Sequence, residues 1–133
     1  MARSRLTNTR GHNKSGGAKI RAAAAEVVNA VVIHGRSLDA ALAERETAFR
    51  QDDRSLLRFL CFGVIRQHWQ LQDWIDSLLD RPLKKRDSIV RALLSVGLFQ
   101  LVDTRIPDHA AVSQTVEAAR LLRRQVGPVV RVL

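Results

Sequence analysis

A helical repeat of apolar residues runs through the middle of the chain and constrains the fold more than any other feature. Between Leu57 and Leu78, apolar side chains return every three or four residues, the spacing that places them on one face of an α-helix. No stretch shows a competing strand pattern. We therefore predict an all-α fold with helices over 18–34, 37–46, 51–80, 85–102 and 108–124, the third of them continuous or only briefly interrupted.

The same stripes predict which side chains face the core. Pro82 and Pro107 separate the later helices, Gly35 ends the first, and Ser37 is expected to cap the second. The predicted inward-facing residues of the first, third, fourth and fifth helices are Ile20, Ala23, Ala24, Val27, Val28, Val31, Leu57, Leu60, Cys61, Val64, Ile65, His68, Leu71, Trp74 or Ile75, Leu78, Ile89, Leu93, Val96 or Gly97, Leu101, Ala111, Val112, Val116, Ala119 and Leu122.

The size and composition of the chain fit one domain in a reducing compartment. Its 133 residues are 46% hydrophobic, which is enough for a single core. One cysteine excludes an internal disulfide, and the basic N-terminus is not closely followed by the apolar run of a signal peptide. No apolar run reaches the ~18 residues that span a bilayer. We predict a cytoplasmic protein with no membrane partner.

Positive charge is concentrated at the start of the chain. The formal net charge is +9, and residues 1–21 carry six lysines and arginines and no acid. Residues 1–17 lack hydrophobic periodicity and are rich in Gly, Ser, Asn and Thr, so we predict a flexible basic arm followed by a helical domain over 18–133. Such an arm attracts polyanions, most commonly nucleic acid. The alternative is a solvated tail that only aids solubility.

The stretch CFGVIRQHWQLQDWI, residues 61–75, raises the question of catalysis because it combines the single cysteine with a histidine. Cys61 lies on the apolar stripe, where burial makes a thiol inert. His68 is two helical turns away, about 10 Å along the axis, which is too far for a nucleophile–base hydrogen bond. The four histidines have no zinc spacing. We therefore predict no catalytic residue, metal or cofactor in this chain.

Three segments together resemble a known family. LLRFLCFGVIRQ, IVRALLSVGLFQLVDTRIPDHAAVSQTVEAARLL and GPVVRVL are similar to the NusB-like N-terminal domain of the RsmB/Sun (Fmu) methyltransferases, which make 5-methylcytosine in small-subunit ribosomal RNA. The resemblance covers about residues 18–133. It implies a NusB-like helical bundle followed, in a full enzyme, by a Rossmann-like domain that binds S-adenosylmethionine and carries two catalytic cysteines.

This resemblance implies a noncatalytic domain that binds and positions ribosomal RNA, with a C-terminal methyltransferase domain as its partner. Cys61 matches the helical domain and inherits no catalytic role. The family's last NusB-like helix continues further, so the apolar segment VVRVL implies a chain truncated at Leu133. The alternative is a NusB-like antitermination factor that regulates transcription through RNA and protein partners. The oligomeric state stays open.

The resemblance also selects candidate site residues. An arginine-rich N-terminal region contacts RNA in NusB, and the corresponding residues here are Lys19 and Arg21, with Arg10 and Lys14 in the preceding arm. Lysine and arginine would neutralise phosphates with little base specificity. A second set within the family motifs, expected either to dock the catalytic domain or to serve the fold, comprises Arg66, Arg105, Pro107 and His109.

Overall fold

The computed structural model describes the backbone of residues 2–126 and the side chains of residues 16–123. Within these residues the chain forms helices and no strand, which confirms the predicted all-α class. A 3-10 turn, Lys85–Asp87, precedes the fifth helix. The six described helices are α1 (Ala2–Val32), α2 (Leu38–Glu46), α3 (Gln51–Arg66), α4 (His68–Leu78), α5 (Ser88–Asp103) and α6 (Asp108–Val126).

Helix α1 is the central element of the bundle. It packs against α2, α3, α5 and α6. Residues 22–25 are four consecutive alanines, and all four are buried. Alanine has the highest helix propensity and a side chain of one methyl group. The alanine segment therefore lets neighbouring helices approach α1 from several directions.

Helices α3 and α5 provide most of the large core side chains. Leu57, Leu60, Leu93, Val96 and Phe99 are each at most 1% exposed. Burying a leucine or phenylalanine side chain stabilises a fold by about 1.5–3 kcal/mol. Four side chains that the stripes predicted to face inward are instead exposed, so those predictions are wrong: Leu78, Leu101, Val112 and Val116.

The exposed positions have a common physical reason. Leu78 is the last residue of α4, beyond the packed part of that helix. The other three line the outer side of the α5–α6 contact, where they border an open groove. An apolar stripe identifies one side of a helix. How many residues of that stripe are buried depends on how the neighbouring helices cross it.

Two predicted boundaries are confirmed in detail. Gly35, three residues after the end of α1, has a positive φ of 69°, a conformation that glycine adopts without strain. Ser37 caps α2, and its Oγ accepts a hydrogen bond from Ala40 N at 3.1 Å. The third predicted helix, expected to be continuous or only briefly interrupted, is divided at Gln67, whose φ and ψ of −102° and 21° separate α3 from α4.

Helix α1 begins at Ala2 rather than at Ala18, so residues 2–17, predicted as a flexible arm, have a helical backbone. A stable helix can extend into preceding residues because the cost of nucleation has already been met. Gly16 and Gly17 are buried, which places the start of the packed region before Ala18. The mobility of the arm stays a prediction, and the apolar segment 127–133 lies outside the described residues.

Gly63 lies where α3 meets α5. A Cβ atom at this position would fall within 2.5 Å of the ring of Phe99, which is 1% exposed. The missing side chain therefore makes room for the aromatic ring, at the cost of about 1 kcal/mol that glycine imposes on a helix relative to alanine. This close approach explains a glycine in the middle of α3.

Replacing Gly63 with alanine is expected to lower the free energy of unfolding by about 1–2 kcal/mol. Overpacking costs about 1–3 kcal/mol, and the better helix propensity of alanine offsets part of that cost. Urea unfolding followed by circular dichroism measures the change. Adding Phe99→Leu to Gly63→Ala should give a double variant less destabilised than the sum of the single changes. Strict additivity would contradict the proposed ring contact.

Cys61 is completely buried on α3. Burial, with a smaller contribution from the negative charge of Glu46, raises the pKa of its thiol to about 12. A thiol with this pKa is protonated at neutral pH and is a poor nucleophile. The structure thus agrees with the inert, structural cysteine expected from its place on the apolar stripe.

The native chain is expected to react with a thiol reagent such as Ellman's reagent at pH 8 on the order of a thousandfold more slowly than the same chain unfolded in guanidinium chloride. The reason is that burial reduces the thiolate fraction and blocks access. Absorbance of the released chromophore measures both rates. Fast stoichiometric labelling of the native chain, with circular dichroism unchanged, would contradict the buried assignment.

Candidate nucleic-acid interface

Several arginines are engaged with carboxylates of the same chain. Arg36 lies 2.7 Å from Glu44, Arg45 lies 3.2 Å from Glu26, and Arg91 lies 2.9 Å from Asp76. Two further pairs are Arg58–Glu46 and Arg120–Glu117. Such surface pairs contribute only about 0–1 kcal/mol to stability. In each pair the carboxylate offsets the positive charge of the arginine. These arginines are therefore weak candidates for binding phosphate.

A second group of cations is exposed without such partners. Within the side chains that the structure describes, none of their charged groups makes a hydrogen bond or an ion pair, so each is free to meet an external anion. They lie on α1, at the end of α3, in the α4–α5 connection and in the α5–α6 loop. The members considered below are Lys19, Arg66, Arg81, Lys84, Lys85, Arg86 and Arg105.

The predicted RNA contacts of the N-terminal segment fall into three cases. Lys19 is exposed on α1. Arg10 and Lys14 belong to the part of α1 whose side chains lie outside the described residues. Arg21 is only 5% exposed and does not lie on the surface. Of the two predicted contacts whose side chains the structure describes, Lys19 is the one that lies where a phosphate can reach it.

Arg21 is part of a buried polar network rather than a surface cation. Its Nε donates a hydrogen bond to Gln100 Oε1 at 2.9 Å, and its Nη1 donates to the Gly17 carbonyl at 3.2 Å. Gln100 Nε2 in turn donates to the Val96 carbonyl at 3.0 Å. Burial lowers the pKa of the Arg21 guanidinium. Arg21 therefore makes a structural contact between α1 and α5, and its burial argues against the RNA contact expected from the sequence, which stays a prediction.

Arg66 and Arg105 lie at the same end of the bundle. Gln67 Nε2 donates a hydrogen bond to Asp103 Oδ2, which ties the end of α3 to the end of α5. Arg66 directly precedes Gln67, and Arg105 follows Asp103 by two residues. Both arginines are exposed. Two cations that are 39 positions apart in the numbering thus lie at the same end of the bundle, because this hydrogen bond joins the ends of α3 and α5.

Pro107 and His109 mark the start of α6. The helix begins at Asp108, and the Pro107 carbonyl accepts a hydrogen bond from Ala111 N at 2.9 Å. Proline cannot donate a backbone hydrogen bond, so it fits a position before the first helical turn. Both side chains are exposed. Pro107 therefore has a clear structural role, whereas docking of a catalytic domain by these residues stays a prediction.

His68, predicted from the apolar stripe to face inward, is half-buried at the start of α4. Its Nδ1 is buried and makes no hydrogen bond with the described part of the chain. Burial, with a smaller contribution from Arg91, lowers the pKa of its imidazole. Among residues 16–123, no group of three or more His, Cys, Asp or Glu side chains is arranged to hold a metal ion.

Exposed phenylalanines on α3 were missed by the sequence reasoning. Phe59 is 47% exposed and Phe62 is 46% exposed. With Arg66 they follow a spacing of three and then four residues, which places all three on one side of the helix. This spacing was the available signal, because it lies beside the buried stripe of Leu57, Leu60 and Val64 rather than within it.

Known proteins similar to this chain carry one recurring name. Over 112 residues it is 43% identical to "Ribosomal RNA small subunit methyltransferase B" of Vibrio vulnificus, a match that covers 84% of this chain and 26% of that protein. It is 42% identical over 105 residues to the protein of the same name from Yersinia pseudotuberculosis, covering 79% of this chain and 24% of that protein. The chain therefore spans about a quarter of the length of these relatives.

The family comparison covers the bundle that the structure describes. The profile of the NusB family matches residues 18–128, from the packed start of α1 to just past the end of α6. None of the described helices combines the length and apolarity needed to cross a bilayer. The matched range contains all the helix contacts with the alanine-rich segment of α1, and the chain belongs to the NusB family.

Proposed function

We propose that this chain is a noncatalytic domain that binds and positions RNA for a small-subunit ribosomal RNA cytosine-C5 methyltransferase. Two relatives that carry a ribosomal RNA methyltransferase name support this proposal through their similarity over most of the chain. A cytoplasmic location agrees with a ribosomal RNA substrate. The methyltransferase domain of the same polypeptide would be the protein partner.

One observation carries the RNA-binding part of the proposal. The first 21 residues contain six cations and no carboxylate, whereas the rest of the chain contains all 13 acids. Of these six, Arg21 serves the fold, and Lys19 is exposed. Lysine and arginine side chains that meet phosphates release counterions, which favours binding and makes it sensitive to salt. The remaining cations would hold the RNA backbone while the helical bundle fixes its position.

S-adenosylmethionine would belong to the methyltransferase domain and not to this chain. Dinucleotide-type sites of the Rossmann fold need a strand, a glycine-rich turn and a helix. The described residues are helical, and Gly16 and Gly17 are buried within α1, so they do not fit such a site. No step of methyl transfer is assigned to residues of this chain, and the inert state of Cys61 agrees with that assignment.

A NusB-like antitermination factor is the second candidate, and the family match over residues 18–128 favours it. Such a factor would act through a protein partner as well as RNA. Pull-down with a purified candidate partner distinguishes the two, since an antitermination factor should retain that partner after RNase treatment. The names of the relatives favour the methyltransferase domain.

Replacing Arg10, Lys14 and Lys19 together with alanine is expected to weaken binding to a small-subunit ribosomal RNA fragment at least tenfold at 50 mM salt. Each lost phosphate contact should reduce the slope of log affinity against log salt by about 0.7–0.9. Fluorescence anisotropy across a salt series measures both quantities.

The matched control replaces Lys84, Lys85 and Arg86 with alanine, which removes the same charge from an exposed site before α5. This control should retain most of the affinity and of the slope. Equal losses in both triple variants would show that only net charge matters, and unchanged affinity in the N-terminal variant would refute the proposed contact.

Arg21→Met is expected to lower the free energy of unfolding by about 1–3 kcal/mol, because it leaves the buried Gln100 without the donor it now has. RNA affinity of the folded variant should remain within about twofold of the parent chain, since a buried side chain meets no phosphate. Adding Gln100→Leu should recover part of the stability by removing both polar partners. Unchanged stability combined with lost RNA affinity would contradict the structural role of Arg21.

A further inference from the structure

An open pocket lies between α3 and the α5–α6 loop, away from the N-terminal segment in sequence. Its volume is about 770 Å³, and it is lined by Phe59, Val102, Asp103, Thr104, Arg105 and Ile106. We call it the Phe59 pocket. Of its apolar lining residues, Phe59 and Val102 are 47% and 51% exposed. Aromatic and aliphatic surface of this kind is available to a flat ligand.

The wall formed by Phe59 is fixed by the core. The Phe59 ring lies 5.5 Å from the ring of the buried Phe99, measured between centroids, with a tilt of 51°. Aromatic pairs at such distances favour a defined orientation. One face of Phe59 is thus supported from inside the bundle, while about half of the side chain remains accessible.

The loop on the other side of the pocket is held by a single hydroxyl group. Thr104 Oγ1 donates a hydrogen bond to the Gln100 carbonyl at 2.7 Å and accepts one from Ile106 N at 3.2 Å. Pro107 then fixes the backbone before α6. Thr104 and Ile106, the two residues that flank Arg105 in this short loop, are therefore constrained. The Arg105 side chain is exposed.

The charges at the pocket favour an anionic ligand with hydrogen-bonding edges. Arg105 lines the pocket, and Arg66 is the last residue of α3. The guanidinium groups of both residues have no partner within the described side chains. Asp103 is the only acid in the lining, and Gln67 donates a hydrogen bond to it. A carboxylate of this kind can accept a hydrogen bond from an exocyclic amino group of a base.

We propose that the Phe59 pocket binds an unstacked nucleotide of single-stranded RNA, with the base on Phe59 and the adjacent phosphate at Arg105. This site rests on the proposed RNA-binding function and extends it from backbone contacts to recognition of an unpaired base. Protein sites for single-stranded RNA combine aromatic stacking surfaces with cations that follow the backbone. Phe62 and Arg66 continue the same side of α3 and would contact the next nucleotide.

The combination of features favours RNA over a protein partner. A protein-docking surface of this size would gain most from buried apolar side chains, with charged residues depleted at its centre. Here an arginine and a carboxylate line the pocket, and Arg66, a second arginine without a partner among the described side chains, precedes Gln67, which is hydrogen-bonded to the lining residue Asp103. Both groups have natural partners in a nucleotide, whose phosphate is anionic and whose base carries amino groups.

The test compares single-stranded and duplex RNA of the same small-subunit ribosomal sequence, labelled with fluorescein, on the full chain. Phe59→Leu keeps an apolar side chain against Phe99 but removes the aromatic face. It should weaken single-stranded binding by roughly tenfold and leave duplex binding within about twofold, because paired bases are not free to stack. Arg105→Gln should reduce the salt slope for the single strand by about 0.7.

Matched controls separate this site from general effects. Trp69→Leu removes an aromatic ring that is 81% exposed on α4, and Arg81→Gln removes an exposed cation before α5. Neither control should change single-stranded affinity by more than about twofold. Thermal unfolding of every variant confirms that the bundle is intact, and Phe62→Leu serves as a second aromatic change if Phe59→Leu lowers stability.

The outcomes distinguish the pocket from the function on which it rests. If the parent chain binds RNA in a salt-dependent way but Phe59→Leu, Phe62→Leu and Arg105→Gln bind as well as the controls do, the pocket is not an RNA site and the proposed function stands. If the parent chain binds neither RNA, both proposals fail. Crosslinks from 4-thiouridine in the single strand to the peptide containing residues 102–106 would support the pocket directly.

Discussion

Burial of the alanine-rich segment of α1 is the packing constraint on which the rest of the structure depends. Residues 22–25 are covered from several sides, because α1 contacts α2, α3, α5 and α6. A larger side chain at these positions would separate helices that now share one core, since protein interiors are close-packed. The relative positions of α3 and α5, and therefore of the Phe59 pocket between α3 and the loop after α5, follow from this central helix.

The packing of α1 also determines which cations of the N-terminal segment are exposed and which are buried. Lys19 and Arg21 are two residues apart, so their side chains leave α1 in directions about 200° apart. One side of α1 is exposed and carries Lys19, whereas the other is covered by α5 and buries Arg21 against Gln100. Two neighbouring basic residues thus have different surroundings. The phosphate-binding arm that we propose would continue into the bundle only along the exposed side.

The sequence predicts the helices well because their apolar stripes are regular, but it leaves open whether the helix over 51–80 is continuous or briefly interrupted and does not locate the break at Gln67. It does not predict the burial of Arg21, since the partner Gln100 is 79 positions away and the charge pattern alone indicates a surface cation. The extension of α1 to Ala2 was missed because residues 2–17 lack an apolar stripe. The Phe59 pocket was missed for a related reason, as it exists only where α3 meets the α5–α6 loop.

We propose that the cations of residues 1–21, with Lys19 exposed on α1, and the Phe59 pocket together hold single-stranded RNA on a helical scaffold. Titration of the ¹⁵N-labelled chain with a ribosomal RNA oligonucleotide, followed by NMR, tests it most directly. The account predicts chemical-shift changes at the amides of residues 2–19, 59–66 and 102–106, with the core of α5 unaffected. Changes confined to the region around Lys84–Arg86, or spread evenly over all exposed cations, would contradict it.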